Sequence, residues 1–141
     1  MTSETNTKFT FPVRVYYEDT DAGGVVFYAN YLKFFERART EWLRHLGFNQ
    51  SELSKKYGLG FVVVGTQLQY KSPARLDDLL TIKTQVKRIG NASIDFEQIC
   101  ERDETVLVTS QIQICCVRLD NFKASPIPDF VRPILLSVQD I

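Results

Sequence analysis

The sequence has 141 residues, which is enough for one ordinary domain with a sizeable apolar core. Its 17 basic residues balance 17 acidic ones, and this zero net charge argues against a nucleic-acid binder. The polar segment Met1–Lys8 lacks the apolar stretch of a signal peptide, and no apolar run reaches membrane-spanning length.

The first predicted element is a strand near the N-terminus, after a segment that we expect to be flexible. Apolar residues alternate along it at Phe9, Phe11, Val13, Val15 and Tyr17. A period of two predicts a strand with one apolar face. Because Pro12 cannot donate a backbone hydrogen bond, the strand should begin near this residue or lie at a sheet edge.

A long amphipathic helix of about five turns is predicted to begin at about Tyr28. Its apolar stripe recurs every three or four residues, at Tyr31, Phe35, Ala38, Trp42 and Leu46. Gly47 is expected to end the helix in a left-handed conformation, with Phe48 folding back onto the last turn. Residues 49–57 are predicted to form a second, short helix.

Strands are predicted throughout residues 61–120, with breaks at 72–75, 90–91 and 102–104. The last two breaks are short and polar, as in hairpins, so the final strands should form an antiparallel meander. We expect residues 126–141 to be a loose tail with one helical turn. The sequence therefore predicts a single α+β domain over residues 1–141, with its core at about 9–125 and a curved antiparallel sheet of about five strands around the helix.

The segment between the first strand and the helix carries the chemistry. Asp21 follows the strand and precedes a glycine turn, and the helix start supplies free backbone N–H groups and partial positive charge. A carboxylate beside such donors can attack a carbonyl while the donors hold the oxyanion. The alternative is an Asx turn or helix cap at Asp21. Asp19 is interpreted as structural, and Gly23 and Gly24 as positions of positive φ or of close approach to a carbonyl.

The same segment resembles a known enzyme family. The motif reads Asp19-Thr20-Asp21-Ala22-Gly23-Gly24-Val25-Val26-Phe27-Tyr28, with Asn30-Tyr31, Phe34-Phe35-Glu36-Arg37-Ala38-Arg39, Phe61-Val62-Val63 and Tyr70-Lys71-Ser72-Pro73-Ala74-Arg75-Leu76-Asp77-Asp78 further along. It is similar to the hotdog-fold acyl-CoA thioesterases, most of all to the Tol–Pal-associated branch of the 4-hydroxybenzoyl-CoA thioesterase family. The resemblance extends from Phe11 to about Pro128.

The resemblance implies hydrolysis of acyl-CoA, or of an acyl carrier protein thioester, with active sites at the interface of a homodimer and dimers paired into tetramers. It assigns Asp21 as the catalytic carboxylate, either nucleophile or general base, and the Tyr28 backbone N–H as the oxyanion donor. The Tol–Pal-associated branch usually has histidine at the position of Tyr28, and the hydroxybenzoyl branch has tyrosine. Coenzyme A is part of the substrate, and no cofactor or metal is implied.

Six further residues are candidates for substrate binding: Gly24, Val25, Glu36, Val62, Val63 and Arg75. The valines would line an acyl pocket or pack in the core. Glu36 would contact a polar acyl group or bond across the dimer. Arg75 would meet a coenzyme A phosphate or pair with Asp77 or Asp78.

Two other functions compete with thioester hydrolysis. One is non-catalytic acyl-thioester binding, or an adaptor role in envelope or lipid metabolism. The other is dehydration of 3-hydroxyacyl thioesters, which usually needs a histidine paired with an acid. The chain has one histidine, His45, near the predicted C-terminal end of the helix, where a structural role is expected. Cys100, Cys115 and Cys116 are expected to be reduced thiols in a cytoplasmic protein.

Overall fold

The computed structural model describes residues 8–140, so the predicted flexible N-terminal segment, apart from Lys8, lies outside the described residues. Five strands form one antiparallel sheet in the order β1–β3–β4–β5–β2. They are β1 (Lys8–Arg14), β2 (Leu59–Tyr70), β3 (Leu79–Ile89), β4 (Ser93–Arg102) and β5 (Thr105–Arg118). The predicted five-stranded α+β architecture and the β3–β4–β5 meander are confirmed.

The two edges of the sheet differ. β1 has seven residues and carries Pro12 opposite Thr81, as the edge position of a proline requires. Next to Lys8, the first residue of β1, the chain's own C-terminal segment covers the following part of β3: Gln139 forms a parallel bridge to Val86, and the Asp140 N–H donates to the Val86 carbonyl over 2.8 Å. At the other edge, β2 has 12 residues, and in the part of the chain that the structure describes it pairs only with β5.

The long helix α1 runs from Tyr31 to His45, so it has 15 residues and about four turns rather than five. The prediction of a start at Tyr28 is wrong by three residues, because a separate 3-10 turn occupies Tyr28–Asn30. At the other end the prediction is confirmed: Gly47 has φ +107°, and the N–H of the buried Phe48 donates to the Leu43 carbonyl.

The short helix α2 (Gln50–Glu52) continues into a wider turn at Leu53–Tyr57, as the sequence predicted. The Asn49 side chain caps it by accepting a 2.8 Å hydrogen bond from the Glu52 N–H. In residues 8–140, none of the helices has the length and hydropathy that crossing a bilayer requires.

The core lies between α1 and the sheet. Its helical side chains are the predicted stripe widened by Phe34 and Leu43, and inward residues of β3, β4 and β5 face them. The largest fully buried side chains include Phe34, Phe35, Phe96, Leu80, Ile82, Ile94 and Leu107. This packing fixes α1 against the sheet, and with it the turn that precedes the helix.

The C-terminal tail contains the predicted helical turn but is not loose, and the core extends beyond residue 125. Ile127, Val131 and Leu135 recur every four residues and are buried, the last of them in helix α3 (Arg132–Ser137). The Arg132 guanidinium also donates to the Gly90 and Asn91 carbonyls, 3.1 and 2.8 Å away. Prolines interrupt this segment without preventing its apolar residues from packing.

Candidate active site

The chain leaves the sheet after β1 and is held close to it through Val15. The Val15 N–H donates to the Asp78 carbonyl over 2.9 Å, and the Val15 carbonyl accepts from the Asp77 N–H over 3.0 Å. A 3-10 turn at Tyr17–Asp19 follows. These bonds place the segment that carries Asp19 and Asp21 beside the connection between β2 and β3.

Asp19 is a buried structural carboxylate, as its interpretation from the sequence proposed. Its Oδ2 accepts the Tyr16 N–H and its Oδ1 accepts the Asn30 Nδ2–H, each over 2.8 Å. Its backbone carbonyl also accepts the Phe27 N–H over 3.0 Å. Asp19 therefore links the beginning of the loop to the start of the long helix.

Asp21 lies on the exposed surface of a tight turn. The Gly24 N–H donates to the Asp21 carbonyl over 3.0 Å, and the Asp21 N–H donates to the Val25 carbonyl over 2.9 Å. The Gly23 N–H binds Oδ1 of the side chain over 2.8 Å, which is an Asx turn. Oδ2 accepts no hydrogen bond from residues 8–140. The Asx turn expected as the alternative is thus present, and it leaves one carboxylate oxygen free.

The glycines serve two different needs in this turn. Gly24 has φ +79°, a conformation that glycine adopts without strain. At Gly23, a Cβ would lie 3.3 Å from the Asp21 Oδ1, so its small size allows the close approach of the carboxylate. Only Gly24 has the positive φ that was considered for both residues.

The 3-10 turn at Tyr28–Asn30, here called the donor turn, precedes α1 directly. It closes with a 2.8 Å bond from the Asn30 N–H to the Phe27 carbonyl, and Val26 donates to the Ala74 carbonyl over 2.8 Å. Within the described chain, the N–H groups of Tyr28 and Ala29 have no hydrogen-bond acceptor. Two neighbouring backbone donors are therefore available at the start of a helix, as an oxyanion site requires.

An open cleft of about 270 Å³ adjoins the donor turn. It is lined by Val26, Tyr28, Tyr31, Tyr70, Lys71, Ser72 and Pro73. The Tyr70 ring lies 5.7 Å from the Tyr31 ring and 6.4 Å from the Tyr28 ring, between centroids. Two effects raise the pKa of Tyr70 above its ordinary value of 10.0: burial is the larger, and the charge interaction with the neighbouring Tyr28 is the smaller.

The other predicted site residues do not line this cleft in the single chain. Asp21 and Gly24 lie in the preceding turn, and Val25 forms a bridge with Arg75. Val62 and Val63 lie on the edge strand β2, where Val63 is 49% exposed. Glu36 lies in a separate groove between α1 and α2, where its Oε2 accepts the Thr40 hydroxyl over 2.6 Å.

The expected ion pair between Arg75 and Asp77 or Asp78 is not formed. Asp78 Oδ2 instead binds the Arg102 guanidinium at 2.8 Å and accepts the backbone N–H of Arg75, also at 2.8 Å. Burial favours a higher pKa for Asp78, but the hydrogen bonds and charges of these arginines lower it below its ordinary 3.8. The exposed Arg75 guanidinium has no ion-pair partner within residues 8–140.

Sequence reasoning missed a buried polar cluster beneath α1. Gln98 is fully buried; its Oε1 accepts from Arg39 over 2.8 Å, and its Nε2 donates to the Phe35 carbonyl and the Thr84 hydroxyl, each over 2.9 Å. Burial lowers the pKa of Arg39 to about 10. The available signal was a polar residue, Gln98, at an inward position of β4 between Phe96 and Cys100.

Comparisons with known proteins identify related thioesterases. The chain is 48% identical over 124 residues to the acyl-CoA thioesterase YbgC of Haemophilus influenzae, covering 88% of this chain and 91% of the relative. It is 46% identical over 121 residues to the acyl-CoA thioester hydrolase YbgC of Escherichia coli O6:H1, covering 85% and 88%. A probable thioesterase from Bartonella henselae has a solved structure that matches with a TM-score of 0.82 and 40% identity, over 86% of this chain and 99% of that one.

A family model supports the same assignment over most of the chain. The model of the Thioesterase superfamily matches residues 23–109, which include the donor turn, α1 and strands β2 to β4. The five-stranded sheet with its long helix is the hotdog fold shared with the thioesterase structures. The exposed carboxylate before a helix start, the fold and the matching relatives lead to one conclusion: the chain belongs to the Thioesterase superfamily.

Proposed function

We propose that this protein hydrolyses acyl-CoA thioesters to a free acid and coenzyme A. The observation that carries the proposal is the loop between β1 and α1. Within residues 8–140, Asp21 there presents one carboxylate oxygen without a hydrogen bond, and the donor turn seven residues later presents two N–H groups without an acceptor. The Haemophilus influenzae and Escherichia coli relatives, named as acyl-CoA thioester hydrolases, support the same substrate class.

In the proposed reaction, the thioester carbonyl oxygen accepts hydrogen bonds from the donor turn, with the Tyr28 N–H as the main donor. Asp21 attacks the carbonyl carbon, the C–S bond breaks, and coenzyme A leaves as a thiolate. Water then hydrolyses the mixed anhydride and restores the Asp21 carboxylate. Alternatively, Asp21 removes a proton from the attacking water. A thiolate is a good leaving group, so neither a histidine nor a metal or cofactor is required.

We further propose that a second copy of the chain completes the site. Asp21, Glu36, Val62 and Val63 do not line the cleft beside Tyr28, and β2 pairs on one side only. Pairing of two β2 edges would join the sheets of two subunits across a two-fold axis. Molar mass measured by light scattering should correspond to a homodimer, or to a tetramer of two dimers. A monomer at assay concentration with full activity would contradict this arrangement.

The Arg75 guanidinium, which has no ion-pair partner in residues 8–140, is the candidate contact for a coenzyme A phosphate, with Gly24 and Val25 beside it in the turn. All three cysteines are free thiols, which fits the predicted reducing cytoplasm. We also propose an association with the Tol–Pal envelope system, because the sequence resembles the branch of the family associated with that system. It would be tested by co-purification of the protein from its host with the envelope components.

The decisive experiment replaces Asp21 by Asn and measures thiol release from acetyl-, hexanoyl-, palmitoyl- and benzoyl-CoA in buffer containing a chelator. We expect kcat to fall by about 10²- to 10⁴-fold, because Asn keeps the size of the side chain but removes the base or nucleophile. Glu18→Gln is the matched control, since it removes one exposed charge from the same loop and should keep wild-type activity.

Different outcomes separate the competing functions. Equal activity of Asp21→Asn and wild type would refute the role of Asp21. Binding of acyl-CoA without thiol release in the wild type would favour a binder or adaptor, and dehydration of a 3-hydroxyacyl-CoA without thiol release would favour a dehydratase. An acyl adduct on Asp21, trapped by rapid quenching and found by mass spectrometry, would identify the nucleophilic route.

A further inference from the structure

A hydrogen bond connects the end of strand β2 with the donor turn. The Tyr70 hydroxyl donates to the Tyr28 carbonyl oxygen over 3.0 Å, between residues 42 positions apart. Tyr28 is the first residue of the donor turn, and Tyr70 is the last residue of β2. The edge strand therefore contacts the same turn that presents the free backbone N–H groups.

The chemical effect of this bond falls on the next residue. The Tyr28 carbonyl and the Ala29 N–H belong to one planar amide group. A hydrogen bond accepted by the carbonyl of an amide draws electron density toward its oxygen and makes its N–H a stronger donor. The Ala29 N–H has no acceptor among residues 8–140, so this added strength is available to a ligand.

We propose that Tyr70 is a positioning residue for thioester hydrolysis: it fixes and polarises the Tyr28–Ala29 peptide, so that the Ala29 N–H becomes a second oxyanion donor beside that of Tyr28. This inference rests on the proposed function and extends it. Tyr70 acts through the backbone and does not itself touch the reacting atoms.

The surroundings hold Tyr70 in the position that this role requires. Its ring packs against those of Tyr28 and Tyr31, and the Tyr31 hydroxyl accepts the Ala74 N–H over 3.1 Å. The Ala74 carbonyl in turn accepts the Val26 N–H over 2.8 Å, just before the donor turn. A phenol of ordinary pKa 10.0 is protonated at neutral pH, and burial raises the pKa of Tyr70 further, so its hydroxyl is a donor there.

The test is Tyr70→Phe, which removes the hydroxyl and keeps the ring. We expect kcat to fall about tenfold with KM unchanged, a smaller loss than removal of a whole oxyanion donor. In spectra of isotope-labelled protein, the Ala29 amide resonance should shift, because the Tyr28–Ala29 peptide loses the hydrogen bond that polarises it. Tyr57→Phe is the matched control: Tyr57 precedes β2, at the end of the strand opposite Tyr70, and is 54% exposed.

Each result either supports or overturns the inference. A lower kcat together with a changed Ala29 resonance, both absent from Tyr57→Phe, supports it. An unchanged kcat, an unchanged Ala29 resonance, or a rise in KM alone overturns it, the last because it would mark Tyr70 as a substrate contact. Wild-type protein without hydrolysis would end the proposed function and this role together, whereas full activity in Tyr70→Phe would end this role alone.

Discussion

Asp19 and Asp21 are two residues apart in one loop, yet their surroundings are opposite. Asp19 is 6% exposed, and both of its carboxylate oxygens accept hydrogen bonds from neutral N–H donors. Asp21 is exposed, and among the described residues only its Oδ1 is bonded, to the Gly23 N–H. The first carboxylate is fully used in holding the loop, and the second keeps an oxygen free for chemistry.

The difference indicates that the two carboxylates have separate roles, one structural and one in the proposed reaction. Asp19 ties Tyr16 to Asn30, so it sets the position of the donor turn relative to β1. Asp21 contributes nothing comparable to that framework, because the one side-chain bond that it makes in residues 8–140 lies within its own turn. Stability and catalysis should therefore respond to different substitutions, and three experiments test this separation in addition to those above.

The largest effect on stability is expected from Asp19→Asn. One of the two N–H donors that meet Asp19 would then face an amide NH₂ in a buried position, which should cost about 2 kcal/mol in the free energy of unfolding. Urea denaturation measures this loss. Asp21→Asn is the isosteric control and should stay within about 0.5 kcal/mol of wild type. Equal losses in the two variants would contradict the division between the carboxylates.

A smaller effect, on rate alone, is expected from Gly23→Ala. The added methyl group would lie 3.3 Å from the Asp21 Oδ1 and displace the carboxylate by a few tenths of an ångström. We expect kcat to fall about threefold, since catalysis depends steeply on such placement. Steady-state kinetics with thermal unfolding measures both properties.

Gly24→Ala is the matched control for that variant. It introduces a side chain at φ +79°, so its main effect should be a stability loss of about 1 kcal/mol. If Gly23→Ala lowered stability and left kcat unchanged, the Asx turn would not position Asp21 for reaction.

The smallest effect concerns Asp78, a third carboxylate whose partner is a cation. Its pKa is lower in the folded protein than in the unfolded chain, so its contribution is complete well above pH 3.8 and is lost as pH falls through the lower folded-state value. Asp78→Asn should cost about 0.5 kcal/mol at neutral pH, and the difference from wild type should shrink as the pH falls below the ordinary pKa of 3.8. A difference independent of pH would exclude the Arg102 pair as its source.

Most of the fold could be predicted from local sequence patterns, because tertiary packing keeps the secondary structure that these patterns favour. Alternation predicted the strands, and the helical stripe and Gly47 predicted the end of α1. The start of α1 was missed because the residues of the donor turn also suit a helix, and the turn differs in the bond from the Asn30 N–H to the Phe27 carbonyl three residues earlier. The C-terminal segment was missed because its prolines concealed the four-residue spacing of Ile127, Val131 and Leu135.

The candidate site was less predictable than the fold. The sequence located Asp21 and Tyr28, since a carboxylate, glycines and a helix start are adjacent in the chain. It could not show that Asp78 forms its ion pair with Arg102 and not with Arg75. Asp78 and Arg102 are 24 positions apart in the sequence and meet only in the folded sheet. The roles of Tyr70 and Gln98 likewise depend on contacts between distant elements.

The unequal sheet edges have a consequence for aggregation. A free strand edge can template the addition of further chains, and a sheet with two such edges can grow without limit into a fibre. In residues 8–140, β1 is short and contains a proline, and Gln139 occupies the part of β3 beyond it. Only β2 offers a long edge, so edge-to-edge growth stops once two such edges have met. Removal of the last few residues would reopen the β3 edge and give the chain a second direction of growth.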